Sequence, residues 1–295
     1  MAAGGIHFRS CLPDLSIPAV TTTQTLKTSL GHTITAFTND HVGDKIARNG
    51  LYEKENLELL LALLKKISSP VVLDIGANIG NHTLAFATVA NRVLAFEPLP
   101  EAYALLASNV RDNHLDNVIT FPFALSDVEE EATLHMVQEG NVGASSFDER
   151  GNATRAVTVK KKIGDQVVAK ADIRKLDLVK LDVEAHEAFV LRGLHNTLRQ
   201  HKPIITMEWN DPLTIERLNG SEELRYLFQE YDVYVLGSNY DRGYWQRRSF
   251  AFIRRKFTRL FRPRRAALYT FNPARLYKNL LLIPKSKAAI LDGLL

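Results

Sequence analysis

The sequence predicts an α/β fold, doubly wound around a mostly parallel sheet of seven strands, with an inserted β-hairpin and a basic C-terminal helical segment. Three observations predict it. Short β-branched runs such as VVLDI at 71–75 lack polar alternation, as strands covered on both faces require. Helical apolar spacing recurs between those runs, so strands and helices alternate. A glycine-bearing loop follows the first of the strands, where an open parallel sheet receives its ligand.

In chain order, residues 1–30 are rich in Thr, Ser and Pro and weakly periodic, and read as an irregular arm ahead of a single domain over 31–295. Leu57, Leu60, Leu61 and Leu64 fall at helical spacing, and Ser68, Ser69 and Pro70 end a helix over 56–67. Strands are expected at 71–75, 92–97, near 118–125, at 178–182 and 203–208, then at 232–236 and 279–283. Helices between them are marked by Leu105, Leu106 and Val110, by Phe189, Val190, Leu194 and Leu198, and by Leu224, Leu227 and Phe228. The stretch 131–160 reads as a hairpin inserted between the third and fourth strands.

With 295 residues, 45% hydrophobic and 24% charged, the chain has a globular composition that excludes disorder, collagen and disulfide scaffolds. Its single cysteine, Cys11, excludes thiolate zinc clusters and suits a reducing compartment. No run of eighteen apolar residues and no signal-like stretch is present, so a cytoplasmic protein is expected. The net charge of +4 hides a segregation: 242–278 holds twelve Lys or Arg and no Asp or Glu, leaving the remainder acidic. Within it Phe250, Ile253, Phe257, Leu260 and Phe261 form a stripe bordered by Arg254, Arg255, Arg259 and Arg262. Two readings stay open: a helix at 249–265 lying peripherally on the anionic inner face of a membrane, or one packed on the domain with a solvated basic rim. No nucleic-acid module pattern accompanies the charge, so no specific nucleic-acid partner is expected.

The most informative stretch is DIGANIG at 74–80, at the end of the first central strand. A dinucleotide loop uses G-x-G-x-x-G to bring backbone against a pyrophosphate. Here the frame is D-x-G-x-N-x-G, which resembles the loop of class I S-adenosylmethionine methyltransferases, whose ligand has no phosphate. Asn78 stands at the middle glycine position, and asparagine best tolerates positive φ among the other residues. On this reading Asp74, Gly76, Ala77, Asn78, Gly80 and Asn81 hold the cofactor. Glu97, ending the second strand, is placed to meet ribose hydroxyls. Asp127 in ALSD is either an adenine contact or an Asx turn, and His82 either touches ligand or serves the first helical turn.

Together, GLYEKE at 50–55, VVLDIGANIGNHTLAFA at 71–87, AFEP at 95–98, ALSD at 124–127, NVGASS at 141–146, VKLDVEAHE at 179–187 and the late KNLLLIPK resemble the FkbM family of methyltransferases. The resemblance covers about 30–285. It implies transfer of a methyl group from S-adenosylmethionine to a hydroxyl of a sugar, glycan or polyketide-type metabolite. Ala185 stands where that family usually has Gly in D-V-E-G-x-E, which is expected to narrow the pocket.

Methyl transfer to a hydroxyl requires alignment and removal of a proton. His186 is the first candidate base because imidazole titrates near neutrality, although it also suits a helix-capping role. Asp182 and Glu208 are the other catalytic candidates, and Glu184, Trp209, Asn141 and Gly143 the substrate-binding ones, with Trp209 as a ring platform. Asp182, Glu184 and Glu208 are also oxygen donors of the kind that hold divalent cations, but spacing does not decide this and no metal is expected. Two competing readings are an NAD-linked sugar oxidoreductase and a noncatalytic module binding a membrane or anionic glycan.

Overall fold

Part of the expected N-terminal arm is a β-hairpin. In the computed structural model, which describes residues 22–38, 40–136, 145–148, 155–238 and 265–294, β1 (Thr23–Lys27) pairs antiparallel with β2 (Thr33–Phe37). Ile34 and Ala36 of β2 are wholly buried, so the threonine-rich alternation is that of a half-covered strand pair. Residues 1–21 lie outside the described part. Helix α1 (His41–Asn49) starts at Asp40, whose carboxylate accepts from the Val42 and Gly43 amides. Helix α2 (Lys54–Leu64) buries Leu57, Leu60, Leu61 and Leu64 as its spacing predicts.

The chain then builds its main layer. It passes through β3 (Val71–Ile75), α3 (Asn81–Ala87), β4 (Arg92–Phe96), α4 (Pro100–Asp112) and β5 (Val118–Phe121). A side excursion follows: β6 (Ala124–Ser126), β7 (Glu130–Met136), β8 (Ser145–Ser146) and β9 (Arg155–Ile163). After α5 (Gly164–Lys170) come β10 (Leu178–Leu181), α6 (Glu187–Gly193), α7 (His195–His201) and β11 (Ile204–Trp209). The chain finishes with α8 (Pro212–Leu218), α9 (Glu222–Glu230), β12 (Tyr231–Ser238), β13 (Ala266–Thr270), β14 (Tyr277–Pro284) and a 3-10 helix over Lys285–Leu291.

Among the described residues the main sheet has eight strands in the order β13-β12-β14-β11-β10-β3-β4-β5, with β11 through β5 parallel and the other three antiparallel. The expectation of seven is corrected by β13, which lies inside the basic segment 242–278, just after the helix expected at 249–265, and pairs along β12 from Tyr234 to Ser238. Its sequence AALYT is half-buried at the sheet edge, where an aromatic and small apolar side chains suit a strand. Residues 239–264, and with them nearly all of the 249–265 stripe, lie outside the described part.

The expected third strand is two. Pro122 falls between β5 and β6 and has no amide to continue a ladder, so β6 leaves the main sheet and pairs in parallel with β9. The inserted hairpin is real, with β7 and β9 antiparallel from Glu130↔Lys161 to Met136↔Arg155. β6 and β8 extend it to a second sheet of four strands.

Both faces of the main sheet are covered, which explains the unalternating runs. Leu73, Ile75, Val179 and Leu181 pack with Val190, Leu191 and Leu194 of the α6 side. Val72, Val93, Leu178 and Ile204 pack with α2 leucines and Phe86 on the other. From β3 the chain proceeds through β4 and β5 to one side and later through β10 and β11 to the other, leaving a crevice outside the carboxyl ends of β3 and β10. No described helix is long and apolar enough to cross a membrane.

Candidate active site

The crevice holds a cleft of about 1110 Å³, mouth included, lined by Gly76, Ala77, Asn78, Asn81, Glu97, Asp182, Glu184, His186 and Glu208 among others. Its first wall is the loop after β3. Gly76 adopts φ +76°, and a Cβ there would lie 1.8 Å from the Asp182 carbonyl oxygen, so only glycine lets the loop touch the end of β10. Asn78 adopts φ 49°, the conformation its residue type predicts. The Gly76 and Ala77 amides donate to the Phe96 carbonyl at 3.0 and 2.9 Å, Gly80 N–H to the Ala77 carbonyl at 2.9 Å, and Asn78 N–H to Glu97 Oε2 at 2.8 Å. These four amides are engaged inside the protein and are not free to cradle a pyrophosphate.

What the loop offers a ligand is acceptors. Asn78 Oδ1 is buried with no donor, and Glu97, at 7% exposure, accepts Asn78 N–H and, at 2.8 Å, Leu99 N–H while retaining lone pairs for hydroxyls. Burial outweighs those two bonds and pushes the Glu97 carboxyl up to about 7. Unmatched acceptors suit the ribose hydroxyls and ammonium group of S-adenosylmethionine, so the residues present fit that cofactor.

The opposite wall is acidic. Asp182 follows β10, and Glu184 and Ala185 continue in left-handed backbone at φ 49° and 73°. The turn sets Glu184 beside Asp182 and the β11 residue Glu208, with one carboxylate oxygen from each within 4.8 Å of the others. Burial, then the charges of Asp182, Glu184 and Glu187, raise the proton affinity of Glu208 well above a carboxylate's usual range. Its Oε2 is sealed from solvent and has no donor. Between the two walls stands Lys180 Nζ, 2.7 Å from the Gly76 carbonyl, 3.4 Å from Asp74 Oδ1 and 3.3 Å from Asp182 Oδ2. Burial opposes its charge, but Asp182 and Asp74 outweigh burial and raise its pKa.

A sequence profile of the FkbM methyltransferase domain matches residues 74–257, more than half of the chain. The chain belongs to the FkbM methyltransferase family. The match takes in both walls of the cleft. The chain is also similar to the hexuronic acid methyltransferase AglP of Haloferax volcanii, 32% identical over 147 residues covering 50% of this chain and 58% of that protein. It is similar to the 2-O-methyltransferase NoeI of Sinorhizobium fredii, 26% identical over 201 residues covering 62% of this chain and 79% of that one. The alignment thus spans little more than half the length of AglP. A solved FkbM methyltransferase from Methylobacillus flagellatus superposes with a TM-score of 0.42 at 15% identity, over 72% of this chain and 43% of that one.

Several expected site residues of this family member have other roles. Asp74 is fully buried, accepting from Thr83 Oγ1 at 2.6 Å and facing Lys180, and so holds the loop rather than a ligand. Gly80, at φ +96°, opens α3 against Leu106 of α4, where a Cβ would meet a methyl at 2.9 Å. Asn81 lines the cleft but exchanges side-chain bonds with both backbone groups of Tyr52. Asp127 is turned to Arg192, 2.8 Å from its Nε, while Ala124 and Leu125 face the cleft in its place. Trp209 is 2% exposed and packs edge to face on Phe271, so it is core and no ring platform. His186 lies between Phe147 and Phe189 with Nε2 3.1 Å from Ser126 Oγ; burial, then Lys161, lowers its pKa to about 3, too weak for a base. It precedes α6 but its side chain accepts no capping bond from the first-turn amides. Asn141 and Gly143 lie outside the described residues.

Of a further group the sequence singles out only His82. His82, Tyr52 and His41 form an edge-to-face aromatic series along the cleft. Glu53, at the start of α2, receives Lys278 Nζ at 2.6 Å and Asn279 Nδ2 at 2.8 Å and lies 3.7 Å from His82 Nε2. Burial works to raise the Glu53 pKa, but Lys278 and His82 outweigh it and hold it low. The GLYEKE and KNLLLIPK segments contain these residues, yet 226 positions separate Tyr52 from Lys278 and no local pattern announces the pairing.

Proposed function

We propose that the chain transfers the methyl group of S-adenosylmethionine to a hydroxyl of a sugar, with uronic acids and sugars bearing a free 2-hydroxyl as the first acceptors to consider. The observation that carries this reading is the pairing in one cleft of a phosphate-free acceptor wall, Asn78 and Glu97, with a carboxylate wall, Asp182, Glu184 and Glu208. The names of AglP and NoeI support the acceptor class. When bound, the cofactor supplies an electrophilic methyl on a sulfonium. Glu97 and Asn78 bind and orient its nucleoside and amino-acid ends, Lys180 fixes the distance between the two walls, and the carboxylates draw the acceptor hydroxyl into line and take up its proton. Tyr52, half-buried at the cleft, offers ring surface to a sugar. The basic stretch 242–278 adds attraction for an anionic glycan or an anionic membrane surface.

Titration calorimetry with S-adenosylhomocysteine, with NAD as control, tests the cofactor. Labelled-methyl transfer to a panel of uronic acid and neutral sugar acceptors then tests the reaction. Binding of the first ligand alone is expected; binding of NAD in its place would overturn the reading in favour of an oxidoreductase.

A further inference from the structure

Among the described residues, one acceptor of the carboxylate wall, on Glu208, stands without a donor. Lys180 lies near Asp182 but is shared with Asp74 and the Gly76 carbonyl, and Lys278 is held by Glu53. Glu208 is only 8% exposed, and its Oε2, shut from solvent, has no hydrogen-bond donor although the residue lines the open cleft. A sealed carboxylate oxygen ordinarily finds a partner. Glu187, fully buried behind it, also leaves one oxygen, Oε1, without a donor, which adds to the local deficit.

The geometry supplies the missing partner's description. One oxygen each from Asp182, Glu184 and Glu208 lies within 4.8 Å of the others, so one point lies within about 2.8 Å of all three, and a side-chain adjustment of a few tenths of an ångström brings them to a calcium–oxygen distance of about 2.3–2.6 Å. The donors are carboxylates with no thiolate or imidazole, which selects a hard cation over zinc or copper. The Asp182 side chain is 30% exposed, leaving a route in and room for water or a substrate oxygen to complete the shell. We propose that Asp182, Glu184 and Glu208 hold one divalent cation of the magnesium, manganese or calcium class in the acceptor half of the cleft. Its use, to fix the acceptor hydroxyl by its oxygen, rests on the methyl-transfer reading; its existence does not.

The test uses the full chain, stripped with chelator and titrated with manganese chloride alone, the free ion followed by electron paramagnetic resonance. One saturable site per chain is expected. Binding should weaken at least tenfold in Glu208→Gln and in Glu184→Gln, the second being a turn residue whose loss leaves the core intact, and should be unchanged in the surface control Asp44→Asn. Magnesium and calcium should compete with manganese. No saturable binding by a folded protein, or equal binding by both cleft variants and the parent, would overturn the site. Manganese binding without S-adenosylhomocysteine binding would uphold the site while sinking the cofactor assignment, and the reverse result would do the opposite.

Discussion

Ala185 shows how a single residue can be misread from sequence and corrected by backbone geometry. The extra methyl relative to glycine is expected to narrow the cleft, but Ala185 is 2% exposed and its significance lies in φ 73°, a region that costs an L-residue about 1–2 kcal/mol. Its carbonyl accepts from Arg217 Nη1 at 2.8 Å, and Arg217 also clasps Asp148, so surrounding bonds hold the strained turn in place. Ala185→Gly is therefore expected to raise the unfolding free energy by about 0.5–1 kcal/mol, less than the full strain because glycine also gains freedom in the unfolded chain. Urea denaturation of the two proteins measures it, and a less stable glycine variant would mean that the turn is unstrained. His186 teaches the same lesson for chemistry. Its place in the sequence suggests a base, whereas the rings of Phe147 and Phe189 take away the water that a protonated imidazole needs.

Among the elements, β10 does most to organise the cleft, because it lies beside β3 in register, Lys180 opposite Asp74. That register aims the Lys180 ammonium at the loop following one strand and at the carboxylate following the other. Replacing it with methionine would leave Asp74, whose side chain is wholly buried, without its cation. Removing one partner of a buried ion pair typically costs about 3–5 kcal/mol. Lys180→Met is expected to lose stability of that order, with Lys180→Arg recovering part of it. Thermal unfolding monitored by circular dichroism checks this, and an unchanged midpoint would show that the Lys180–Asp74 pair contributes nothing to stability. The inserted sheet acts on the same cleft from above: Ser146 of β8 donates from Oγ to the Glu184 carbonyl at 3.1 Å, and Ser126 of β6 meets His186.

At the scale of the whole molecule, the acidic cleft links folding to pH. Burial lifts Glu97 to about 7, so between its ordinary value of 4.5 and about 7 the unfolded chain has released a proton that the folded chain retains. Stability contributed by this group is present below pH 4.5 and is lost as pH rises through 7, an effect on the order of 3 kcal/mol. Glu97→Gln is expected to flatten the fall in stability between pH 5 and pH 7.5, measured by denaturant titration at several pH values. Parallel profiles for variant and parent would show that Glu97 ionises normally. The ionised form is also the better acceptor for ribose hydroxyls, so the charge that costs stability serves binding.

The alternation of strands and helices, the loop at the end of β3 and the carboxylates at the ends of β4, β10 and β11 are legible in the order of amino acids alone, but the sequence reading also had gaps. Those signals are local: apolar period, turn residues and the position of a charge at a strand end. The sequence reading missed the strand identity of 23–27 and 266–270 and the break at Pro122: β13 is an edge strand whose partner β12 lies far back in the chain, whereas β1 pairs with the neighbouring β2 and its threonine-rich alternation gives only a weak apolar signal. Which candidates face the cleft depends on how distant segments pack. Asp127 and Trp209 stand at strand ends as Glu97 and Glu208 do, yet one is claimed by Arg192 and the other by the core. Tyr52, Glu53, His82 and Lys278 converge from three distant segments. The gathering of Asp182, Glu184 and Glu208 likewise follows from the parallel register of β10 and β11 and a left-handed turn, since a strand's direction is local information and the identity of its neighbour is not.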